Sequence, residues 1–270
     1  MDASDLLKRA ACLVDEVRKC RPLIYSITND VTITFLANGI LALGGAPIMS
    51  SSTKEAGEIA RQAQGVLINM GTPHNRSFKA MTAACRMARK HRIPAVFDPV
   101  GAGFTAYRNR IVHTLLLRHP FAIIKGNAAE IDYLAGKGRG ARGVDAVSLD
   151  NDPVEAALLS ASSFKTVTAV TGAEDIVSNG IRSYRIKGGT PLCGKLTGTG
   201  CLAGALCALY LSQAASPVEA AVTALLVIKT ASQEAACNAA GTGSFYTALL
   251  DSLTTLRGET LLKKGNLYEA

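Results

Sequence analysis

Short apolar segments that alternate with longer helical patterns are the feature that most constrains how this chain can fold. A short apolar run between turn residues is typical of a buried strand, whereas apolar residues spaced three and four apart indicate a helix. Strand–helix alternation predicts an α/β fold with a mainly parallel central sheet and helices on both faces. The predicted strands are Ala46–Met49, Val66–Asn69, Ala95–Asp98, Ala122–Lys125 and Thr166–Thr171.

Ten helices are predicted around these strands, and no linker divides the chain, so we expect one domain over residues 1–270. The helices are Leu6–Lys19, Thr34–Leu43, Lys54–Gln62, Ser77–His91, Arg110–Leu117, Ala128–Leu134, Pro153–Ser162, Cys201–Ser212, Pro217–Asn238 and Ser244–Leu256. Asn179-Gly180 between Ile176–Ser178 and Arg182–Ile186 predicts a β-hairpin, after which three helices close the chain without further strands. Gly136–Gly143 is predicted to be a surface loop.

Composition excludes several classes of protein. Hydrophobic residues make up 48% of the chain and charged residues only 19%, which does not suit a disordered protein. Two uncharged stretches, Val31–Thr53 and Leu196–Val218, are long enough to span a bilayer. Both contain glycine and proline, so we interpret each as a loop with a buried helix, and such segments also suit a subunit interface. No signal peptide and no membrane span are expected.

The net charge of +8 raises the question of an anionic partner. The basic residues are scattered, and no aromatic residues interleave with them, so the pattern favours solvated helix faces and attraction of ATP over nucleic-acid binding. The seven cysteines are odd in number and include no C-x-x-C pair. This pattern indicates reduced thiols and a cytoplasmic location.

Four predicted strands end in polar or glycine-rich sequence, beginning at Asn69, Asp98, Lys125 and Thr171. The carboxyl ends of parallel strands lie at one edge of a sheet, where active sites of such folds gather. The four strand ends are therefore expected to form one rim.

A glycine-rich turn, Leu196–Cys201, leads directly into an apolar helix. The backbone amides of Gly198, Thr199 and Gly200, together with the helix N-terminus, would form an anion hole for a phosphoryl group in transit. Cys201 lies in the first turn, where the pKa of a thiol tends to be lowered. The alternative is a tight turn with a buried cysteine before a core helix, and no Gly-Lys-Ser/Thr of a Walker A loop follows.

Two carboxylates are candidates for a magnesium site. Asp98 at a strand end beside glycines could hold hydrated magnesium, or could merely begin a turn. Glu130 could organise magnesium-bound water, but its spacing from Asn127 also fits a capping box. Lys125 is a candidate contact to an ATP phosphate, and the hydroxyl of Thr171 could contact phosphate or cap its own turn.

Taken together, the order and spacing of these motifs resemble the hydroxyethylthiazole kinases, from about residue 20 to residue 250. The segments that carry the resemblance are Ser26–Asn29, Ala37–Gly39, Gly45–Met49, Asn69–Thr72, Phe97–Gly103, Lys125–Glu130, Thr197–Cys201 and Gly241–Phe245. Across ribokinase-like kinases an aspartate commonly follows the glycine turn, and the cysteine found here is typical of the thiazole kinases.

The resemblance implies a ribokinase-like fold, a homotrimer and active sites between neighbouring subunits. It implies magnesium-dependent phosphorylation of 5-(2-hydroxyethyl)-4-methylthiazole by ATP, in thiamine salvage. By motif match, the thiazole would contact Met49 and Gly198 with Asn29 close by; ATP would contact Lys125, Thr171 and the adjoining Asn127; magnesium would be served by Asp98 and Glu130. Cys201 would orient the substrate alcohol and accept its proton.

Two positions depart from the family pattern: Tyr25-Ser26 replaces the usual His-Cys, and Lys125 replaces an arginine. Lysine keeps the charge but loses the bidentate fork of arginine. Three alternatives stay open at this point. They are a related kinase acting on a hydroxymethylpyrimidine or pyridoxal, a non-catalytic nucleotide-binding protein of the same fold, and a basic nucleic-acid binder.

Overall fold

The computed structural model describes residues 1–136 and 152–270, and within these ranges it contains one nine-stranded sheet. The strands are β1 Leu23–Ile27, β2 Ala46–Met49, β3 Gly65–Asn69, β4 Ala95–Asp98, β5 Ile123–Asn127, β6 Val167–Thr171, β7 Asp175–Ser178, β8 Ser183–Lys187 and β9 Asn266–Glu269. Beyond Gly136, the predicted loop Gly136–Gly143 lies outside the described residues.

Eleven α-helices and one 3-10 turn, Pro191–Lys195, are described in these ranges. The helices are α1 Ala3–Cys20, α2 Ile33–Ala42, α3 Ala56–Gln62, α4 Asn75–His91, α5 Ala106–Arg118, α6 Ala128–Leu134, α7 Pro153–Phe164, α8 Thr199–Leu211, α9 Pro217–Cys237, α10 Thr242–Thr255 and α11 Gly258–Lys264.

The strand order is β2-β1-β3-β4-β5-β6-β7-β8-β9. Strands β1 to β6 pair in parallel, and β7, β8 and β9 add an antiparallel extension. The prediction of a mainly parallel sheet is therefore confirmed, as are the five predicted strands and the hairpin at Asn179-Gly180.

The strands are buried on both sides because each face of the sheet is covered by its own helical layer. In β3, Val66 and Ile68 belong to the apolar cluster formed with α3, α4, α5 and α7, whereas Leu67 belongs to the cluster formed with α1, α8, α9 and α10. This alternation follows from the two-residue period of a strand. It explains why parallel strands appear in sequence as continuous apolar runs.

The expectation that three helices end the chain without further strands is wrong. Four α-helices follow the hairpin, and β9 returns to pair with β8 as an antiparallel edge strand. Strand β9 has four residues and is largely exposed, so it lacks the apolar pattern by which buried strands are found. Strand β1 was also not predicted, since its five residues lie directly before a polar segment.

Helix α8 accounts for the uncharged stretch after the glycine turn. Every residue from Leu202 to Leu211 is buried, so this helix is apolar on all sides because it lies in the centre of one layer. None of the helices in the described ranges is both long enough and apolar enough to cross a membrane.

Candidate active site

The predicted rim forms where the strands end. Asn69 at the end of β3 is in register with Asp98 at the end of β4, and Asn127 at the end of β5 is in register with Thr171 at the end of β6. Parallel pairing places all four ends on one edge of the sheet. The N-terminal turn of α8 packs over the same edge, so the candidate residues come from two sides.

Asp98 and Lys125 form a buried ion pair at the centre of this rim. The Nζ of Lys125 lies 3.2 Å from both carboxylate oxygens of Asp98, and the side-chain amide of Asn69 donates to Asp98 Oδ2 over 2.8 Å. Asp98 is fully inaccessible to solvent. Burial raises the pKa of Asp98 to about 6 although Lys125 opposes the shift, and the charge of Asp98 holds the pKa of Lys125 above its usual value despite burial.

Glu130 joins two backbone segments of the rim. One carboxylate oxygen accepts from the N–H of Gly101 and the other from the N–H of Asn127, each over 2.8 Å. The side chain of Asn127 accepts in turn from the N–H of Glu130 over 2.9 Å, which completes the predicted capping box at the start of α6. Because Gly101 belongs to the loop after β4, Glu130 ties that loop to the end of β5.

The glycine turn before α8 requires glycine at Gly198 on two grounds. Its φ of +97° lies in the left-handed region, and a Cβ there would come within 2.7 Å of Thr32 Cγ2. The hydroxyl of Thr199 donates to the carbonyl of Cys193 over 2.9 Å, which fixes the turn from the other side. The turn is thus held between α2 and the 3-10 turn.

The ion pair lies directly beneath the first two turns of α8. A Cβ at Gly200 would lie 3.6 Å from Lys125 Nζ, and one at Gly204 would lie 3.1 Å from Asp98 Oδ2. Small residues at these two positions let the helix approach the charged pair closely. A positive ammonium and the amides of a helix N-terminus therefore face the same region, an arrangement suited to an anion.

Cys201 is partly buried and accepts a hydrogen bond from the side-chain amide of Asn29, with nitrogen and sulfur 3.1 Å apart. The expectation that its pKa is lowered is wrong. Burial and the charge of Asp98 raise the pKa of Cys201 above its usual value, although Lys125 and the amide donors act in the opposite direction. A raised pKa favours the neutral thiol over the thiolate.

The residues expected on the substrate side come from β1, β2 and the loop after β1. Asn29 is buried, and its side-chain oxygen Oδ1 accepts from the hydroxyl of Thr32 over 2.9 Å. Met49 ends β2 and packs against the same apolar cluster as Cys201. Tyr25, which departs from the family pattern, is buried on the opposite face of the sheet, where its hydroxyl donates to the carbonyl of Ser50 over 2.9 Å. It contributes to the core of that face.

A cavity of about 510 Å³ opens beside the glycine turn, and Asn29 does not line it. Thr171 lies in one wall, and Thr199 and Gly200 lie in another. The hydroxyl of Thr171 donates to the carbonyl of Gly126 over 3.3 Å. The remaining lining residues are Gly172, Ala173, Asp175, Gly188, Gly189, Thr190, Pro191, Cys193, Gly194, Ala203, Ile228, Lys229 and Ser232. This cavity adjoins the anion-binding turn and has room for part of a nucleotide.

The side-chain contacts of three polar residues in this region were not predicted from the sequence. Asn69 donates to Asp98, and Lys229 and Asp175 form an ion pair with 3.2 Å between Nζ and Oδ1 in the wall of the cavity. The sequence does indicate that Lys229 is buried, because it is a single charged residue within a long apolar helical segment. A buried lysine is almost always paired with an acceptor or an opposite charge, but the sequence does not identify the residue that pairs with it.

The carboxylates at this rim suit a hydrated magnesium ion, and they do not form a metal centre in which protein side chains supply all the ligands. Within the described part of the chain, no three His, Cys, Asp or Glu side chains cluster as metal ligands. Asp98 and Glu130 bring two carboxylates to a rim where Lys125 supplies one positive charge. Magnesium usually takes one or two carboxylates and completes its shell with water and phosphate oxygens, which this set permits.

Comparisons with known proteins agree with this geometry. The model of the hydroxyethylthiazole kinase family matches residues 14–259. The chain is 37% identical over 263 residues to a hydroxyethylthiazole kinase of Methanocorpusculum labreanum, covering 97% of this chain and 99% of the relative. It superposes on the hydroxyethylthiazole kinase structure from Pyrococcus horikoshii with a TM-score of 0.89 and 33% identity, covering 97% and 98% of the two chains.

A more distant solved structure shares the fold alone. A ribokinase-like superfamily protein from Enterococcus faecalis superposes with a TM-score of 0.64 at 11% identity, covering 87% of each chain. The fold is therefore ribokinase-like, as the resemblance implied.

Proposed function

The chain belongs to the hydroxyethylthiazole kinase family, and we propose that it transfers the γ-phosphoryl group of ATP to the primary alcohol of 5-(2-hydroxyethyl)-4-methylthiazole, in thiamine salvage. The observation that carries this proposal is the match to that family over nearly the whole chain. The buried Asp98–Lys125 pair beneath the glycine turn supports it, because it supplies charge where a phosphoryl group would pass.

The thiazole is proposed to bind on the Asn29 side of the turn, against Met49 and Gly198. Its hydroxyl would then lie near Cys201, which is held by Asn29. ATP is proposed to bind from the other side, with its phosphates near Gly200 and Lys125 and its remaining parts in the cavity beside Thr171. Asn127 shapes this side indirectly, as the residue that caps α6 next to Thr171 in the sheet.

In the proposed reaction, the alcohol oxygen forms a bond to the γ-phosphorus and the bond to the bridging oxygen breaks, releasing ADP. Such transfers depend on positioning and charge stabilisation more than on covalent chemistry. The amides of Gly198, Thr199 and Gly200 and the ammonium of Lys125 would stabilise charge on the transferred group. The proton of the alcohol leaves with the phosphorylated product or to solvent, and Cys201 orients the hydroxyl.

Magnesium is proposed as the cofactor, held through Asp98 and Glu130. When bound, it would neutralise charge on the phosphates. Asp98 ends β4, Glu130 lies in the first turn of α6 just after β5, and each carboxylate interacts electrostatically with Lys125.

The finer features of the assembly are also proposals. We expect one domain over residues 1–270, a cytoplasmic location and a homotrimer with the active site between subunits. The apolar side chains of Val31 and Ile33 are 73% and 37% exposed directly beside Asn29, which agrees with a neighbouring subunit completing the substrate side. Sedimentation of the purified protein measures the number of subunits.

An assay of ADP release tests the proposed activity. The protein, ATP and magnesium are incubated with hydroxyethylthiazole, with the hydroxymethylpyrimidine or with pyridoxal. The expected result is ADP release that depends on the thiazole and exceeds release with the other two alcohols. Preference for another alcohol would support the rival kinase, and ADP release with none of them would support a non-catalytic nucleotide-binding protein.

A further inference from the structure

Lys229 lies in the middle of α9, and all three of its N–H donors have acceptors. Its Nζ donates to the carbonyl of Gly172 over 2.7 Å and to the carbonyl of Ala173 over 2.9 Å. It also lies 3.2 Å from Oδ1 of Asp175. An ammonium group has three donors, so none remains for a ligand. The lysine acts on the protein itself.

Two of the acceptors belong to the turn between β6 and β7 and the third, Asp175, is the first residue of β7; this segment forms one wall of the 510 Å³ cavity. Asp175 reinforces the same turn, because its Oδ1 accepts from the N–H of Gly172 over 2.9 Å. This turn follows Thr171 immediately along the chain. The lysine therefore fixes the position of the segment that carries the proposed nucleotide contact.

The hydrocarbon part of Lys229 fixes a second wall. A Cβ at Gly189 would come within 2.8 Å of Lys229 Cδ, so this backbone lies directly against the lysine stem. Gly189 has a φ of +82°, and with Gly188 it forms the turn that leads out of β8 into the cavity wall. One side chain thus touches the β6–β7 turn, the turn after β8 and the body of α9.

Lys229 and Asp175 are both buried, so neither charge can be replaced by contact with water. Lys229 and Asp175 are 9% and 2% exposed, respectively. Buried charges of this kind leave a partner uncompensated when one is removed, so the structure around them rearranges. A rearrangement here would move the cavity walls, while the Asp98–Lys125 pair and Cys201 belong to other elements.

We propose that Lys229, paired with Asp175, is a positioning residue that shapes the nucleotide side of the site by locking the turn after Thr171 against α9. This inference rests on the proposed kinase function only in taking ATP as the ligand of the cavity. It places Lys229 in control of ATP binding and not of the thiazole or of the transfer step.

The test is steady-state kinetics and ADP binding of Lys229→Met, which keeps an unbranched apolar stem as far as the ε position and removes the ammonium. The KM for ATP and the Kd for ADP by calorimetry are expected to rise roughly tenfold, because a turn released from Lys229 would hold the binding-competent arrangement only about a tenth of the time. The KM for the thiazole and kcat are expected to stay within about threefold, because substrate-side residues do not contact Lys229.

Arg9→Met is the matched control. Arg9 pairs with Glu219, a buried carboxylate on the same helix α9, with 3.0 Å between Nη2 and Oε1. This substitution also removes the cation of an ion pair that involves a buried carboxylate. Neither Arg9 nor Glu219 lines the cavity. It is expected to lower Tm without changing the KM for ATP or the Kd for ADP.

Asp175→Asn provides a second variant if Lys229→Met does not fold. The amide retains an acceptor for the N–H of Gly172 but loses the charge, so a smaller rise in the Kd for ADP, about threefold, is expected. An unchanged ADP affinity in folded Lys229→Met, or in Asp175→Asn where that is the variant that folds, would overturn the proposal. So would a loss confined to kcat, or an equal loss in Arg9→Met.

Failure of the proposed function can be told apart from failure of this inference. If the wild-type protein binds ADP but does not turn over the thiazole, the activity is wrong, and the Kd for ADP still decides the role of Lys229. If the wild-type protein binds no ADP, the inference about the cavity is wrong.

Discussion

The side-chain amide of Asn29 donates to the sulfur of Cys201 across 3.1 Å, joining the loop after β1 to the first turn of α8. The hydroxyl of Thr32 donates to the side-chain oxygen Oδ1 of Asn29. The amide is thereby fixed with its N–H groups toward the sulfur. Cys201 is therefore oriented as a hydrogen-bonded thiol at the junction of the proposed substrate and phosphate sites.

Replacing Cys201 by aspartate is expected to leave an active enzyme. The carboxylate can accept from Asn29 as the sulfur does, and it can also take the proton of the alcohol. Cys201→Ala, which removes the acceptor, is expected to lower kcat by about tenfold, with positioning and charge stabilisation retained. Both are measured by thiazole-dependent ADP release, with circular dichroism as the check of folding. Complete loss of activity in folded Cys201→Asp would contradict this role.

The raised pKa of Cys201 predicts slow alkylation near neutral pH. Only the thiolate reacts, so modification of Cys201 by iodoacetamide should be slower at pH 7.5 than that of exposed Cys12 and Cys237, which serve as internal comparators. The rate at Cys201 should still be rising above pH 9. Peptide mass spectrometry measures each site in one sample. If Cys201 were the fastest thiol at pH 7, its pKa would be lowered and the assignment would be wrong.

Gly198→Ala is expected to reduce kcat/KM by at least tenfold. The added methyl group meets Thr32 Cγ2 at 2.7 Å, and alanine is strained at a φ of +97°. The turn must then shift, and its amides with it. The control is Gly243→Ala, where a Cβ meets nothing within 4 Å and φ is ordinary. Equal activity of the two alanine variants would show that the turn has no part in transfer.

The magnesium proposal is tested with Glu130→Gln. Loss of one carboxylate charge should raise the half-saturating magnesium concentration by about tenfold and lower kcat roughly 100-fold. Glu219→Gln is the control, because it changes another buried carboxylate that pairs with Arg9 away from the rim. Normal turnover with normal magnesium dependence in Glu130→Gln would remove this residue from the metal site.

Local patterns predicted the parallel strands and the shared rim because buried strands are apolar runs and their carboxyl ends converge. They did not predict β9, whose exposed edge position removes that apolar signal. The capping box of Asn127 and Glu130 followed from a spacing of three residues. The pairing of Lys125 with Asp98 and of Lys229 with Asp175 did not, because such contacts depend on tertiary packing between distant segments.

The raised pKa of Cys201 is another property that depends on tertiary packing and could not be predicted from the sequence. Its place in the first turn of a helix favours a lowered pKa, and sequence reveals that place. Burial beneath neighbouring elements and the charge of Asp98 raise the pKa of the thiol instead, and both are properties of the folded chain.

Transfer of label from γ-³²P-ATP measures directly whether this protein phosphorylates the thiazole alcohol. The wild-type protein is incubated with labelled ATP, magnesium and hydroxyethylthiazole, and the products are separated. The proposed activity predicts that the label moves to the thiazole alcohol in equal amount to the ADP formed. Label found only in inorganic phosphate, or ADP formed equally without the thiazole, would contradict it.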